Sequence, residues 1–164
     1  VGRATTDTLT NKTFDVTGTG NSFVIPYFSA SLSANQSPIT NNTFTKVLFN
    51  TELADNKSWY DNATNYRFTP QLAGKYRITA QVQGFGTTVT EVDVDIYKNG
   101  ATYSRTINLA SGTATSSVIS HIVSFNGSTD YVEIFALIIG TGTLSFLGGT
   151  APIRTWFEAQ YVGA

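Results

Sequence analysis

The 164-residue chain has no cysteine, no methionine and a single histidine, and Lys, Arg, Asp and Glu together make up only 13% of it. Without cysteine there is no disulfide framework, no thiolate metal site and no thiol nucleophile. The formal charge of −1 comes without any basic cluster interleaved with aromatics, so the electrostatic footprint of a nucleic-acid binder is missing. The longest apolar run, Ile134 to Ile139, is far shorter than the about 20 residues that cross a bilayer as a helix. No membrane insertion and no nucleic-acid partner are expected.

Signs of chemistry are equally sparse. His121 sits in an apolar stretch between Ile119 and Val123, with no local acid to orient it and no nucleophile elbow, so it lacks the setting of a catalytic triad. It reads as a buried or interface histidine. Gly84-Phe85-Gly86 is too short for a phosphate loop, which also needs a helix behind it. The eleven acidic residues offer no pair to nominate for glycoside hydrolysis, because such pairs are defined by their separation in space. The chain therefore reads as a non-enzyme with no catalytic residue, no cofactor and no assigned metal ligand.

What the chain does have is apolar text, 41% of residues with 13% aromatic, enough for one domain with one core. Short segments rich in Val, Ile, Thr, Tyr and Phe recur between Gly, Asn and Pro signals, which marks an all-β fold. The expected strands are Tyr27–Leu32, Thr45–Phe49, Tyr66–Thr69, Lys75–Gln83, Thr90–Tyr97, Ala101–Arg105, Thr115–Phe125, Tyr131–Ile138, Thr143–Leu147 and Thr155–Val162. Asn99-Gly100 and Asn126-Gly127 accept the positive φ angles of tight hairpins.

Alternation assigns faces. Thr90–Tyr97 puts Val92, Val94 and Ile96 on one side and Glu91, Asp93 and Asp95 on the other, which reads as a solvated face, with a calcium site where chains meet left open. Thr115–Phe125 instead carries Ile119, Val123 and Phe125 on one face and Val118 and Ile122 on the other. Tyr131–Ile138 likewise sets Tyr131, Phe135 and Leu137 against Val132, Ile134 and Ala136. A sandwich strand has one face on the core, so a second apolar face needs another cover. A neighbouring copy of the chain is the expected cover, with Val118, Ile122, Tyr131 and Phe135 at the interface. Residues 1–22 are Thr-rich and polar, with Leu9 and Phe14 as isolated apolar positions, and read as a stalk end and linker before a head domain at 23–164.

From Phe49 onward the residues form a pattern: Phe49, Asp55, Tyr60, Phe68, Gly74, Tyr76 and Ile78, then Tyr97-Lys98-Asn99-Gly100 and Trp156-Phe157-Glu158-Ala159. This pattern resembles the globular head of complement component one-q and the related tumour-necrosis-factor proteins, from roughly Tyr27 to Val162. It departs by one extra residue between Tyr60 and Phe68. The resemblance implies a ten-stranded jelly-roll sandwich that assembles as a homotrimer, with the pattern aromatics in the core or interface. Thr5 to Phe14 resembles text found in bacteriophage tail-fibre proteins ahead of a terminal domain. Together these imply the receptor-binding head of a phage tail fibre, located on the virion outside the cell, whose partner is a host-surface glycan or protein. The alternatives are a structural trimerisation cap and a polysaccharide-degrading enzyme.

Strand counting locates the binding end. An even number of antiparallel strands returns the C-terminus near the N-terminus, so the stalk marks the base. With the strand path the family implies, Asn99-Gly100 and Asn126-Gly127 lie at the base. The free tip then carries Gly84–Thr88, Ile107–Thr113 and Gly148–Arg154. Phe85, Asn108 and Arg154 are the candidate receptor contacts there, because aromatic and Arg side chains dominate binding hot spots. Trp59, in the long first connection, is the lateral candidate.

Overall fold

A computed structural model describes residues 24–164; the expected stalk, with Leu9 and Phe14, lies outside them. The described chain is all-β. Eleven strands follow in order: β1 (Tyr27–Ser31), β2 (Gln36–Ile39), β3 (Thr45–Lys46), β4 (Thr51–Asp55), β5 (Tyr60–Asp61), β6 (Arg67–Phe68), β7 (Gly74–Lys98), β8 (Ala101–Phe125), β9 (Val132–Thr141), β10 (Leu144–Phe146) and β11 (Trp156–Gly163).

The long antiparallel hairpin of β7 and β8 organises everything else. Its register runs from Gly74 opposite Phe125 to Lys98 opposite Ala101 and is interrupted between Phe85 and Glu91. Such interruptions add twist and bend a strand, and here they fold the hairpin over itself. The first half of β7 pairs with β11, which pairs with β1 and then β4. The second half of β7 pairs with β9, which carries β3 and β6, and β6 pairs with β5. One hydrogen-bonded network thereby becomes two layers facing each other. The four segments expected as Lys75–Gln83, Thr90–Tyr97, Ala101–Arg105 and Thr115–Phe125 are two continuous bent strands.

Between the layers the inward residues meet. Phe28 of β1 stacks on Phe68 of β6 and Tyr60 of β5, with ring centroids 4.6 and 4.7 Å apart, and meets Phe157 of β11 edge-on at 4.7 Å. Tyr76 joins Phe68 and Phe125. These rings bury large apolar areas, and offset or edge-on geometry adds to that burial. Phe49, Tyr60, Phe68, Tyr76 and Ile78, the residues that carried the family resemblance, are all buried. The Tyr60 hydroxyl donates to the Phe49 carbonyl and that of Tyr76 to the Leu72 carbonyl, which satisfies their polar ends. Gly74, at φ 144°, leaves no room for a side chain: a Cβ would lie 2.6 Å from the Tyr161 ring. Pattern Asp55 accepts N–H bonds from Lys57, Trp59 and Tyr60 and fixes the turn into β5.

Both Asn-Gly hairpins lie at one end of the sandwich, where the Asn99 amide donates to Asp130 and Lys98 pairs with Asp130. The C-terminus lies there too, since Lys75 Nζ donates to the Ala164 carbonyl and Tyr161 N–H to the Pro26 carbonyl. The bend of β7 and β8, the β9–β10 turn and the chain around Gly148 gather at the opposite end, where Thr88 faces Thr141 and Leu147 N–H donates to the Gln83 carbonyl.

Candidate functional site

The acidic row on β7 is not the solvated face its alternation suggested. Asp95 is fully buried and Asp93 only 4% exposed. Asp95 takes two bonds from Arg105 on β8, Nε to Oδ1 at 2.7 Å and a terminal nitrogen to Oδ2 at 2.8 Å. The Arg105 guanidinium in turn lies 4.2 Å from the Phe44 ring centroid. Phe44, in the chain before β3, and Leu137, opposite Asp93 on β9, cover this outer face from distant parts of the sequence. Asp93 Oδ1 is buried without a hydrogen-bond partner. Burial, reinforced by the neighbouring Glu91 carboxylate, pushes the Asp93 carboxyl up to about 6 against the opposing pull of Arg105. Among the described residues no group of three or more His, Cys, Asp or Glu is placed to hold a metal ion.

The four expected interface residues do not share a face. Val118 and Ile122 of β8 point away from the core on the first layer, 47% and 46% exposed, with Tyr27 on the same face 46% exposed. Phe135 lies on the outside of the second layer, stacked on Tyr97 at 4.1 Å with Lys46 Nζ above it. Tyr131 lies beneath the Arg67 guanidinium at 4.5 Å. The outer face of β9 is thus partly covered by this chain's own side chains, with Tyr131 and Phe135 each left part exposed. For β8 that cover does not come from within the described residues.

His121 is exposed and not buried in the isolated chain. It sits at the open edge where the two halves of β8 approach, its Nδ1 3.2 Å from Ser104 Oγ and its ring edge-on to Tyr103 at 5.4 Å. Among the described residues no carboxylate is a hydrogen-bond partner of His121, so the triad reading gains no geometry.

At the tip, Phe85 is 41% exposed between two glycines that have no space for a Cβ: at Gly84 it would lie 2.7 Å from Val92, at Gly86 2.6 Å from Leu144. Asn108 does not face a ligand freely, because its Nδ2 donates to the Ser116 carbonyl at 2.7 Å and ties the two halves of β8 together. Arg154 is exposed, and its carbonyl accepts from Gln81 Nε2. The structure brings these to one end without gathering them into a cavity.

Two concavities do form. One, of about 350 Å³, lies on the open face of the first layer between Tyr27, Ser29, Arg77, Thr79, Glu158 and Gln160. The other, of about 340 Å³, lies around Trp59 with Asp61, Asn65, Arg67, Thr69 and Gln71 in its walls. Sequence reasoning named Trp59 as a binding residue but nominated none of the other residues of this cleft. The available signal was the longer-than-family connection between Tyr60 and Phe68, which supplies Asp61, Asn65 and Arg67.

No family model matches the sequence, and no curated protein matches it. Similarity to solved structures is clear. Murine APRIL at pH 5.0 superimposes with a TM-score of 0.62 at 12% identity, covering 85% of this chain and 100% of that one. Murine APRIL at pH 8.0 gives 0.62 at 14% identity over the same shares. Eiger TNF from S. frugiperda gives 0.59 at 8% identity, covering 86% of this chain and 93% of that one. At these identities the likeness establishes architecture: the chain has the jelly-roll fold of tumour-necrosis-factor-like proteins.

Proposed function

We propose that this chain is the receptor-binding head of a homotrimeric fibre, carried at the tip of a bacteriophage tail fibre, and that it recognises a host-surface receptor without altering it chemically. The observation that carries the reading is the outer face of the first layer. Tyr27, Val118 and Ile122 are exposed there among Ser, Thr and Gln side chains, with Arg77 and Glu158 as the charged residues beside them. Apolar side chains on a sheet face that no described segment of the chain covers mark an interaction surface. The same kind of surface on β9 is partly covered from within by Tyr97, Lys46 and Arg67, so the contrast is internal to the molecule. A fold shared with APRIL and Eiger TNF suits a ligand-like head, and the text at Thr5–Phe14 favours a phage fibre over other carriers.

Light scattering on the full chain tests the assembly, with three chains expected; a monomer at micromolar concentration refutes it. Competition tests the role. Purified head should block adsorption of the parent virion to its host, and an assembled head that leaves adsorption unchanged refutes receptor binding in favour of a structural cap.

A further inference from the structure

We propose that the cleft around Trp59 is a saccharide-binding site, taking on the order of one or two neutral sugar rings of a surface glycan. This rests on the receptor-binding reading and names the ligand class and place. Its size, about 340 Å³, is at the small end of ligand pockets.

The walls are held before any ligand arrives. Trp59 packs half-buried against the core, its ring 6.5 Å from Phe68. Its backbone N–H donates to Asp55 at 2.7 Å and its carbonyl accepts from Thr69 N–H at 2.9 Å. The opposite wall is the turn after β5, where Asp61 accepts N–H bonds from Ala63, Thr64 and Asn65 and a fourth from the Asn65 amide. Those bonds, led by that of Thr64, hold the Asp61 carboxyl down at about 2, so the turn stays tied across the working pH range. A preformed site loses little conformational freedom on binding.

Polar groups in the cleft then point to a polyhydroxylated ligand. Asn65 spends its amide nitrogen on Asp61, which leaves its Oδ1 as an acceptor. Gln71 donates its nitrogen to the Thr69 and Ser128 carbonyls, which leaves its Oε1 likewise. Arg67 is held over Tyr131 and, among the described residues, has no carboxylate in ion-pair range, so its N–H donors face the cleft's solvent. A rigid aromatic wall beside convergent planar donors and acceptors matches a sugar, which offers a C–H face and a rim of hydroxyls. Arg67 and Asp61 are cross-strand partners, and their opposite charges sum to zero, so this pair gives the cleft no net charge to select a charged ligand.

Position supports the same reading. β4 and β5 are the two ends of the strand order β4-β1-β11-β7-β9-β6-β5, and Asp55 of β4 bonds the backbone of Trp59 and Tyr60, so the cleft sits at the edge of the sandwich where the two layers meet. The proposed trimer carries three such edges, so weak single sites act together through avidity.

The test is binding of the fluorescently labelled full chain to immobilised neutral sugars terminating in glucose, galactose, mannose or N-acetylhexosamine. At least one should be bound, with Arg67→Ala and Gln71→Ala each weakening it by about tenfold or more, while Phe85→Ala leaves it unchanged. Gln71→Ala also removes two bonds to backbone carbonyls and Arg67→Ala the contact with Tyr131, so melting temperatures check that both variants fold. No sugar bound, or binding that survives both variants, overturns the proposal. Cell binding separates this from the wider reading: if the head binds host cells and protease treatment abolishes that while periodate does not, the receptor is protein and the saccharide site is refuted, with the receptor-binding head intact. A head that binds no host cell refutes the wider reading.

Discussion

Replacing Asp93 with asparagine should make the protein more stable at neutral pH and should change how stability depends on pH. The carboxyl is 4% exposed, one oxygen has no partner, and its folded-state value lies at about 6 against an ordinary 3.8. Between about pH 4 and pH 6 the unfolded chain has released this proton while the folded chain still holds it. The unfolded state then binds fewer protons, so stability falls as pH rises. The contribution is fully present below about pH 4 and gone above about pH 6. A shift of about two units corresponds to about 3 kcal/mol. The asparagine side chain is neutral throughout, and its amide can donate to Glu91. The stability of Asp93→Asn minus that of the wild type should therefore rise by up to about 3 kcal/mol between pH 4 and pH 7. Asp61 and Asp130 are shifted downward; they titrate below this window and cancel in the difference. Urea unfolding at pH 4, 5, 6 and 7 and one fixed protein concentration, followed by tryptophan fluorescence, measures it. A difference that stays flat across the window would refute the buried, proton-holding role of Asp93.

Ile122→Asp should leave the isolated fold within about 0.5 kcal/mol, since the position is half exposed, yet abolish the trimer by placing a charge in a dry interface. Light scattering should find a folded monomer, and a trimer of unchanged stability would remove β8 from the interface. Phe28→Ala should cost about 3–5 kcal/mol in urea unfolding, because it empties the centre of a four-ring contact; a loss below about 1 kcal/mol would mean that the rings close up without it. Gly127→Ala should cost more than a usual surface change, as φ is 73° and a Cβ would lie 2.3 Å from the Ala73 nitrogen. Its melting temperature should drop by several degrees, and an unchanged value would mean that the turn can relax.

Local alternation made one part of this fold legible. Ile119 and Val123 against Val118 and Ile122 can be sorted from the sequence alone because side chains on a strand change sides at every residue. Alternation says which side a residue takes, however, and not what lies over it. Asp93 and Asp95 share a side with Phe135 and Leu137, and their cover is supplied by Phe44 and Arg105 from elsewhere in the chain. Phe135 on the same side is likewise part covered, by Tyr97 and Lys46. Glycine misled in another way. Gly84, Gly86 and Gly112 read as ends of strands, yet β7 and β8 run straight through them. Of the unexpected strands, β2 contains Pro38, which lowers its strand signal, β4 is the polar stretch Thr51–Asp55, and β5 is only two residues long. The Trp59 cleft was legible only as an over-long connection, because its walls are made by turns whose shape depends on Asp55 and Asp61 bonds.

The glycines that hid the bend also decide what the tip can do. A Cβ at Gly86 would lie 2.9 Å from the Thr141 carbonyl oxygen, one at Gly140 2.2 Å from that of Thr88, and one at Gly142 2.2 Å from Thr87 Oγ1. Backbone therefore packs on backbone where β7 crosses from one layer to the other, a closeness that only residues without side chains permit. Phe85 is displayed on this crossing with Ser145 as its β10 partner, and it lines neither of the two concavities. An exposed aromatic outside a concavity can contribute contact area to a large partner surface, but it cannot enclose a small ligand, which needs concave walls. The Trp59 cleft has those walls. Binding of a small sugar that depended on Phe85 and ignored Arg67 would contradict this division, whereas a second, protein-sized contact at the tip would be compatible with it.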